Sequence, residues 1–103
     1  MRRWTTPTQR IVIHDVDLSN CDIYLTVNQG KNSVTFKSPI VSTSDADTIL
    51  EFDLTQKDTS GFSVGTATIQ INWVTPNNKR FATDTATIKI TKNLLEREVT
   101  YGE

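Results

Sequence analysis

Cys21-Asp22-Ile23-Tyr24-Leu25-Thr26-Val27 is the stretch on which the fold turns. Cys21, Ile23, Leu25 and Val27 alternate with Asp22, Tyr24 and Thr26, the period of two that arises when one face of a strand meets a core and the other meets water. Asn28-Gln29-Gly30-Lys31-Asn32 follows as a turn, because Gly and Asn accept the positive φ that hairpins require, and it leads into Val34-Thr35-Phe36. The central strand therefore has an antiparallel neighbour. Upstream, Arg10-Ile11-Val12-Ile13-His14 is a β-branched run bounded by Pro7 and by the polar stretch Asp15 to Asn20.

The same pattern recurs downstream. Pro39 interrupts the third run, and Ser42 to Asp47 reads as a polar loop. Leu50, Phe52 and Leu54 then alternate with Ile49, Glu51 and Asp53. Thr55 to Gly61 suits one helical turn ended by the glycine. From Thr66 to Val74, Ala67, Ile69, Ile71 and Trp73 alternate with Thr68, Gln70 and Asn72, and Pro76-Asn77-Asn78-Lys79 is a strong turn signal. The return strand, Phe81 to Thr91, puts Ala82, Ala86, Ile88 and Ile90 on the inner face and Thr83, Thr85 and Thr87 on the outer one.

About seven short strands, without strand-helix-strand alternation, define an all-β class whose simplest architecture is a two-sheet antiparallel sandwich of immunoglobulin-like type. A closed barrel is the architectural alternative. With 103 residues the chain has the size of one domain and buries roughly two thirds of its unfolded surface. The expected division is one sandwich with a short amino-terminal arm, 1–7, and a tail, 93–103, that forms a short helix or an arm. Threonine occurs 17 times, and a β-branched hydroxyl side chain fits the solvent face of a sheet better than a helix.

Composition excludes several function classes. Eleven Lys and Arg against twelve Asp and Glu leave a net charge of -1, no field for a phosphate backbone or an anionic membrane. The expectation is no nucleic-acid partner and no membrane partner. The opening Met1-Arg2-Arg3-Trp4-Thr5-Thr6-Pro7 has no apolar segment after its arginines and reads as neither a secretory signal nor an anchor. Cys21, the single cysteine, makes no internal disulfide and suits a reducing compartment, with its side chain read as a small core hydrophobe.

The catalytic inventory is empty, so the chain reads as no enzyme and as having no small-molecule substrate. His14 is the only histidine, and no serine or cysteine is placed beside it by a recognisable motif. Asp15-Val16-Asp17-Leu18-Ser19-Asn20 imitates the start of a calcium loop. Its sixth position is Asn20 rather than glycine and its twelfth is Thr26 rather than glutamate, so it reads as a solvated turn. No histidine and cysteine cluster suits zinc, and the four glycines are too scattered to cradle phosphate; no cofactor is expected. Asp84 breaks its strand's alternation by pointing inward between Ala82 and Ala86, which implies a buried polar network with Lys79 or Arg80 as possible partners. Trp73 and Phe62 are assigned to the core. Candidate interface residues are Arg2, Arg3, Trp4, Tyr24, the threonines Thr83, Thr85 and Thr87 on a weakly charged face, and Leu94 and Leu95 in the tail.

Leu54-Thr55-Gln56-Lys57-Asp58-Thr59-Ser60-Gly61-Phe62-Ser63-Val64-Gly65, followed by Ala67 to Trp73 and by the Thr83-Asp84 pair, resembles small phage and prophage structural proteins of Gram-positive bacteria. In particular it resembles the amino-terminal domain of phage baseplate upper proteins. Arg3-Trp4-Thr5-Thr6-Pro7-Thr8 is similar to the opening of short prophage proteins of this kind. The resemblance spans roughly Trp4 to Leu95 and consists of turn and strand signatures rather than chemistry. It implies a non-enzymatic building block of a tail, baseplate or neck, made in the bacterial cytoplasm and located in the virion. Its partners would be phage structural proteins and further copies of itself. The carboxy-terminal extension and receptor-binding head of a full baseplate protein have no counterpart here, so direct host recognition is not implied. A different class, an immunoglobulin-like adhesion module for carbohydrate or a cell-surface protein, is the alternative; the absence of aromatics from Ser42–Asp47 and Pro76–Lys79 favours assembly.

Overall fold

The structure is a computed structural model that describes every residue except Ser38. Among the described residues it has eight strands and one helical turn: β1 (Thr8–Ile13), β2 (Asp22–Gln29), β3 (Asn32–Lys37), β4 (Ile40–Ser44), β5 (Asp47–Asp53), α1 (Gln56–Ser60), β6 (Gly65–Val74), β7 (Arg80–Ala82) and β8 (Ala86–Ile90). One sheet has the order β1-β5-β4. The other has the order β3-β2-β6, with β7 and β8 pairing in succession along the far side of β6. Every pairing between named strands is antiparallel. The molecule is thus an all-β, two-sheet antiparallel sandwich.

The inner faces are those the alternation marks. Ile23, Leu25 and Val27 of β2 face Leu50 and Phe52 of β5 across the interior, joined by Ala67 and Ile71 of β6, Ile90 of β8, and Leu18, Leu54 and Phe62 from the connections. Burial of each Leu, Ile or Phe side chain contributes roughly 1.5–3 kcal/mol. Cys21 is half-buried against this core. The helical turn is where the sequence places it, because Thr55 Oγ1 accepts from the Asp58 N–H while the Asp58 carboxylate accepts from the Thr55 N–H. This reciprocal pair satisfies two amides that an isolated turn leaves open.

Two expectations about the strands are corrected. Ser42 to Asp47 is not a loop throughout: β4 continues to Ser44 and returns through a two-residue turn, Asp45-Ala46, with Asp45 at φ 54°. All five β4 residues are exposed, so no alternation of polarity marks this strand in the sequence.

The second correction concerns Phe81 to Thr91, which is not one strand. Residues 72–74 of β6 pair with 80–82 in one register, whereas 65–69 pair with 86–90 in a register offset by one residue. Gln70 therefore lies opposite both Asp84 and Thr85, which is a β-bulge. Side-chain parity reverses across it. Phe81 lies on the inner side, where its ring stacks on Trp73 with centroids 5.9 Å apart, and Ile88 and Ile90 also lie on the inner side. Ala82 is exposed rather than inward. Asp84 is exposed, not a buried carboxylate, because the bulge rotates it out of the alternation that would have buried it. Thr83 is half-buried rather than on the outer face: its N–H donates to the Ile71 carbonyl at 2.9 Å and its hydroxyl accepts from the Ile71 N–H at 3.1 Å. The Thr83 carbonyl accepts from Gln70 Nε2 at 2.8 Å.

The side chains that hold the bulge are thus Thr83 and Gln70, which sets up a test. Thr83→Val strands the Ile71 N–H and lowers stability by about 1–3 kcal/mol in urea denaturation. Asp84→Ala stays within about 0.5 kcal/mol of the parent. A buried Asp84 network requires the reverse order.

Candidate functional site

The residues singled out as candidate contacts fall into three places. The first is the paired termini. Met1 to Arg3 runs alongside the end of β8 through a parallel bridge between Arg2 and Thr91, with the Arg3 N–H donating to the Thr91 carbonyl at 3.0 Å and the Thr91 N–H to the Met1 carbonyl at 2.8 Å. Trp4, at φ 62° and half-buried, turns the chain away before β1 joins the other sheet. The arm therefore ties one sheet to the other.

Arg3 is placed for this internal work. Its Nε donates to the Phe62 carbonyl at 2.7 Å, its Nη2 to the Ser60 carbonyl at 3.0 Å, and its Nη1 pairs with Glu96 of the tail. Arg2 is exposed, and its guanidinium donates to the Lys92 carbonyl at 2.7 Å. Thr59, fully buried, holds the arm from below. Its hydroxyl accepts from the Thr5 N–H at 3.0 Å and donates to the Thr5 carbonyl at 2.9 Å.

The tail is neither a helix nor a free arm. Asn93 Nδ2 donates to the Arg3 carbonyl at 3.1 Å, and the Gln56 side chain grips Val99 by both backbone groups, accepting from its N–H at 2.9 Å and donating to its carbonyl at 2.6 Å. On this fastened backbone Leu94 is 97% exposed, Leu95 48%, and Tyr101 fully exposed. Tyr101 had no periodic signal to mark it in the sequence.

The second place is the outer face of the five-stranded sheet. Tyr24, half-buried, lies beside a hollow of about 340 Å³ that it lines with Thr26, Thr35, Asn72, Val74 and Arg80. The Lys37 ammonium sits 5.4 Å from the Tyr24 ring centroid, within cation–π range. Arg80 Nε and Nη2 donate to Asn72 Oδ1 at 3.3 and 3.2 Å. The hollow is therefore an aromatic and hydroxyl surface between two cations, suited to a polar or anionic group. Thr87, opposite Thr68, and Thr85, in the bulge, are exposed on the same sheet; Thr83 has left that face.

The third place is the acidic loops. Ser19 donates to Asp17 Oδ1 from its hydroxyl at 2.6 Å and from its backbone N–H at 2.9 Å, which holds the Asp17 carboxyl below its ordinary pKa. The turn is held from beneath by Thr48, a buried residue whose hydroxyl accepts from the Leu18 N–H and donates to the Val16 carbonyl. His14 is exposed at the end of β1 with Nδ1 3.1 Å from Asp47 Oδ2. Among the described residues no three His, Cys, Asp or Glu side chains converge as a metal site would require.

No protein-family model, no curated protein and no solved structure matches the chain.

Arg3→Ala loses the two carbonyl contacts and the Glu96 pair together, at a cost of about 2 kcal/mol. Amide hydrogen exchange is expected to accelerate in residues 1–5 and 93–99, while Arg2→Ala leaves both segments protected. Unchanged exchange in Arg3→Ala would show that the guanidinium is free for an external partner.

Proposed function

We propose that this chain is a non-enzymatic structural module of a bacteriophage or prophage particle, an immunoglobulin-like building block that assembles with copies of itself and with other particle proteins in a tail, baseplate or neck. The supporting observation is the tail, where Leu94, Leu95 and Tyr101 stand exposed on a backbone tied to Gln56 and Arg3. A backbone already held in place loses little further entropy when a neighbour covers it, and exposed apolar side chains on such a support suit a contact site. The resemblance of Leu54 to Trp73 to baseplate proteins supplies the particle. Phage structural proteins are the partners in this reading and the virion is the location.

A second reading, a carbohydrate- or protein-binding adhesion module, draws on the Tyr24 hollow with Lys37 and Arg80 at its sides. The two readings predict different losses. In light scattering the parent chain is expected to exceed monomer mass, and the combined Leu94→Ser, Leu95→Ser and Tyr101→Ser substitutions to lower that mass, while Tyr24→Ala leaves it unchanged. A chain that is monomeric and binds glycans on an array through Tyr24 would overturn the assembly reading in favour of the second.

A further inference from the structure

Every edge strand in a sandwich exposes a row of unpaired backbone groups, and proteins commonly blunt such edges with charge, proline or bulges. Four of the edges here follow that practice: β1 carries Arg10, β3 Lys37, β7 Arg80 and β8 Lys89. The edge β4, Ile40-Val41-Ser42-Thr43-Ser44, carries no charge and no bulge. It is also exposed along its whole length, with Ile40 at 63% and Val41 at 39%.

The register of β4 decides which of its backbone groups are free. Ser44 and Asp47 flank the two-residue turn, and in such a hairpin the flanking pair exchanges both backbone hydrogen bonds. Bonded and non-bonded pairs then alternate, so Ser44, Ser42 and Ile40 use their N–H and C=O groups on Asp47, Ile49 and Glu51. Val41 and Thr43 direct theirs away from β5, toward the open edge.

From this we infer that β4 pairs antiparallel with β4 of a second copy about a two-fold axis at Ser42, which deepens the assembly reading above and rests on it. In that register Val41 lies opposite Thr43 of the second copy and Thr43 opposite its Val41. All four outward N–H groups then meet outward carbonyls, and Ser42 faces Ser42 as the close, non-hydrogen-bonded pair. The two symmetric alternatives fail. Val41 opposite Val41 sets Thr43 against Pro39, which has no N–H to donate. Thr43 opposite Thr43 sets Val41 against Asp45, which at φ 54° has left the strand for the turn.

The side chains agree with the backbone. Val41, paired with Leu50, lies on the inner face, so the pairing continues two apolar inner faces into one six-stranded sheet of order β1-β5-β4-β4-β5-β1. Ile40, on the outer face, is covered by Ser44 of the second copy. Because no β4 side chain is charged, no like charges meet across the axis.

Ser42 is exposed and on the axis, so its substitutions test the pairing without disturbing the monomer. Ser42→Lys brings two ammonium groups face to face and is expected to weaken self-association at least about tenfold in sedimentation velocity, with an unchanged circular dichroism spectrum. Ser42→Cys is expected to give a disulfide-linked dimer under mild oxidation, since close antiparallel pairs have Cα separations of about 4.5 Å, within bridging range. Ser44→Cys, away from the axis, should link far more slowly, and the parent chain with Cys21 alone is the control. A parent chain that self-associates equally well as Ser42→Lys, with no cross-link through Cys at position 42, overturns the β4 pairing and leaves the assembly reading standing. A parent chain that is monomeric overturns the pairing and counts against homo-assembly as well.

Discussion

A strand that seals a core has no freedom of parity: one residue too many sends every later side chain to the wrong face. β6 is the strand on which this constraint bears hardest, because its far edge carries both β7 and β8. Trp73 has to meet Phe81 at one end, and Ala67 and Gly65 have to meet Ile88 and Ile90 at the other, all on the inner side. The chain between Phe81 and Ile88 is one residue longer than a regular ladder accommodates. The bulge opposite Gln70 absorbs that residue, and Thr83 and Gln70 satisfy the backbone groups it displaces.

Threonine hydroxyls do similar work elsewhere. Thr48 and Thr59 are fully buried, and each both accepts and donates at a loop that must lie against the core: Thr48 under Val16 to Leu18, Thr59 under Thr5. A buried hydroxyl is tolerable only when so satisfied, and among the described residues no buried side-chain nitrogen or oxygen lacks a partner. The threonine content is therefore divided between solvent faces, as β propensity suggests, and the joints that hold irregular backbone to regular sheet.

The same division separates surfaces available for contact from those already engaged. Arg3, a charged residue in a terminal arm, is committed to Phe62, Ser60 and Glu96, so the amino-terminal arm is part of the sandwich's closure. Leu94, Leu95 and Tyr101 are held outward, and β4 keeps an uncharged edge. Apolar surface thus remains open at the tail and along the uncharged edge β4, while the polar hollow by Tyr24 lies on the opposite kind of surface, a half-buried sheet face.

Alternation in Cys21 to Val27, Ile49 to Leu54 and Thr66 to Val74 was enough to determine the all-β class and the inner faces of three strands, and the polar run ended by Gly61 marked the helical turn, because period and turn chemistry are local properties. Three features were settled by tertiary structure alone. β4 escaped notice since a strand exposed on both faces leaves no polarity pattern to read. Asp84 and Thr83 exchanged their expected environments since a bulge is defined by the partner strand's register, which no single segment records. Arg3 became an internal clamp because residues 59 and 93 positions away in the chain supply its acceptors, and only the folded sandwich brings them within reach.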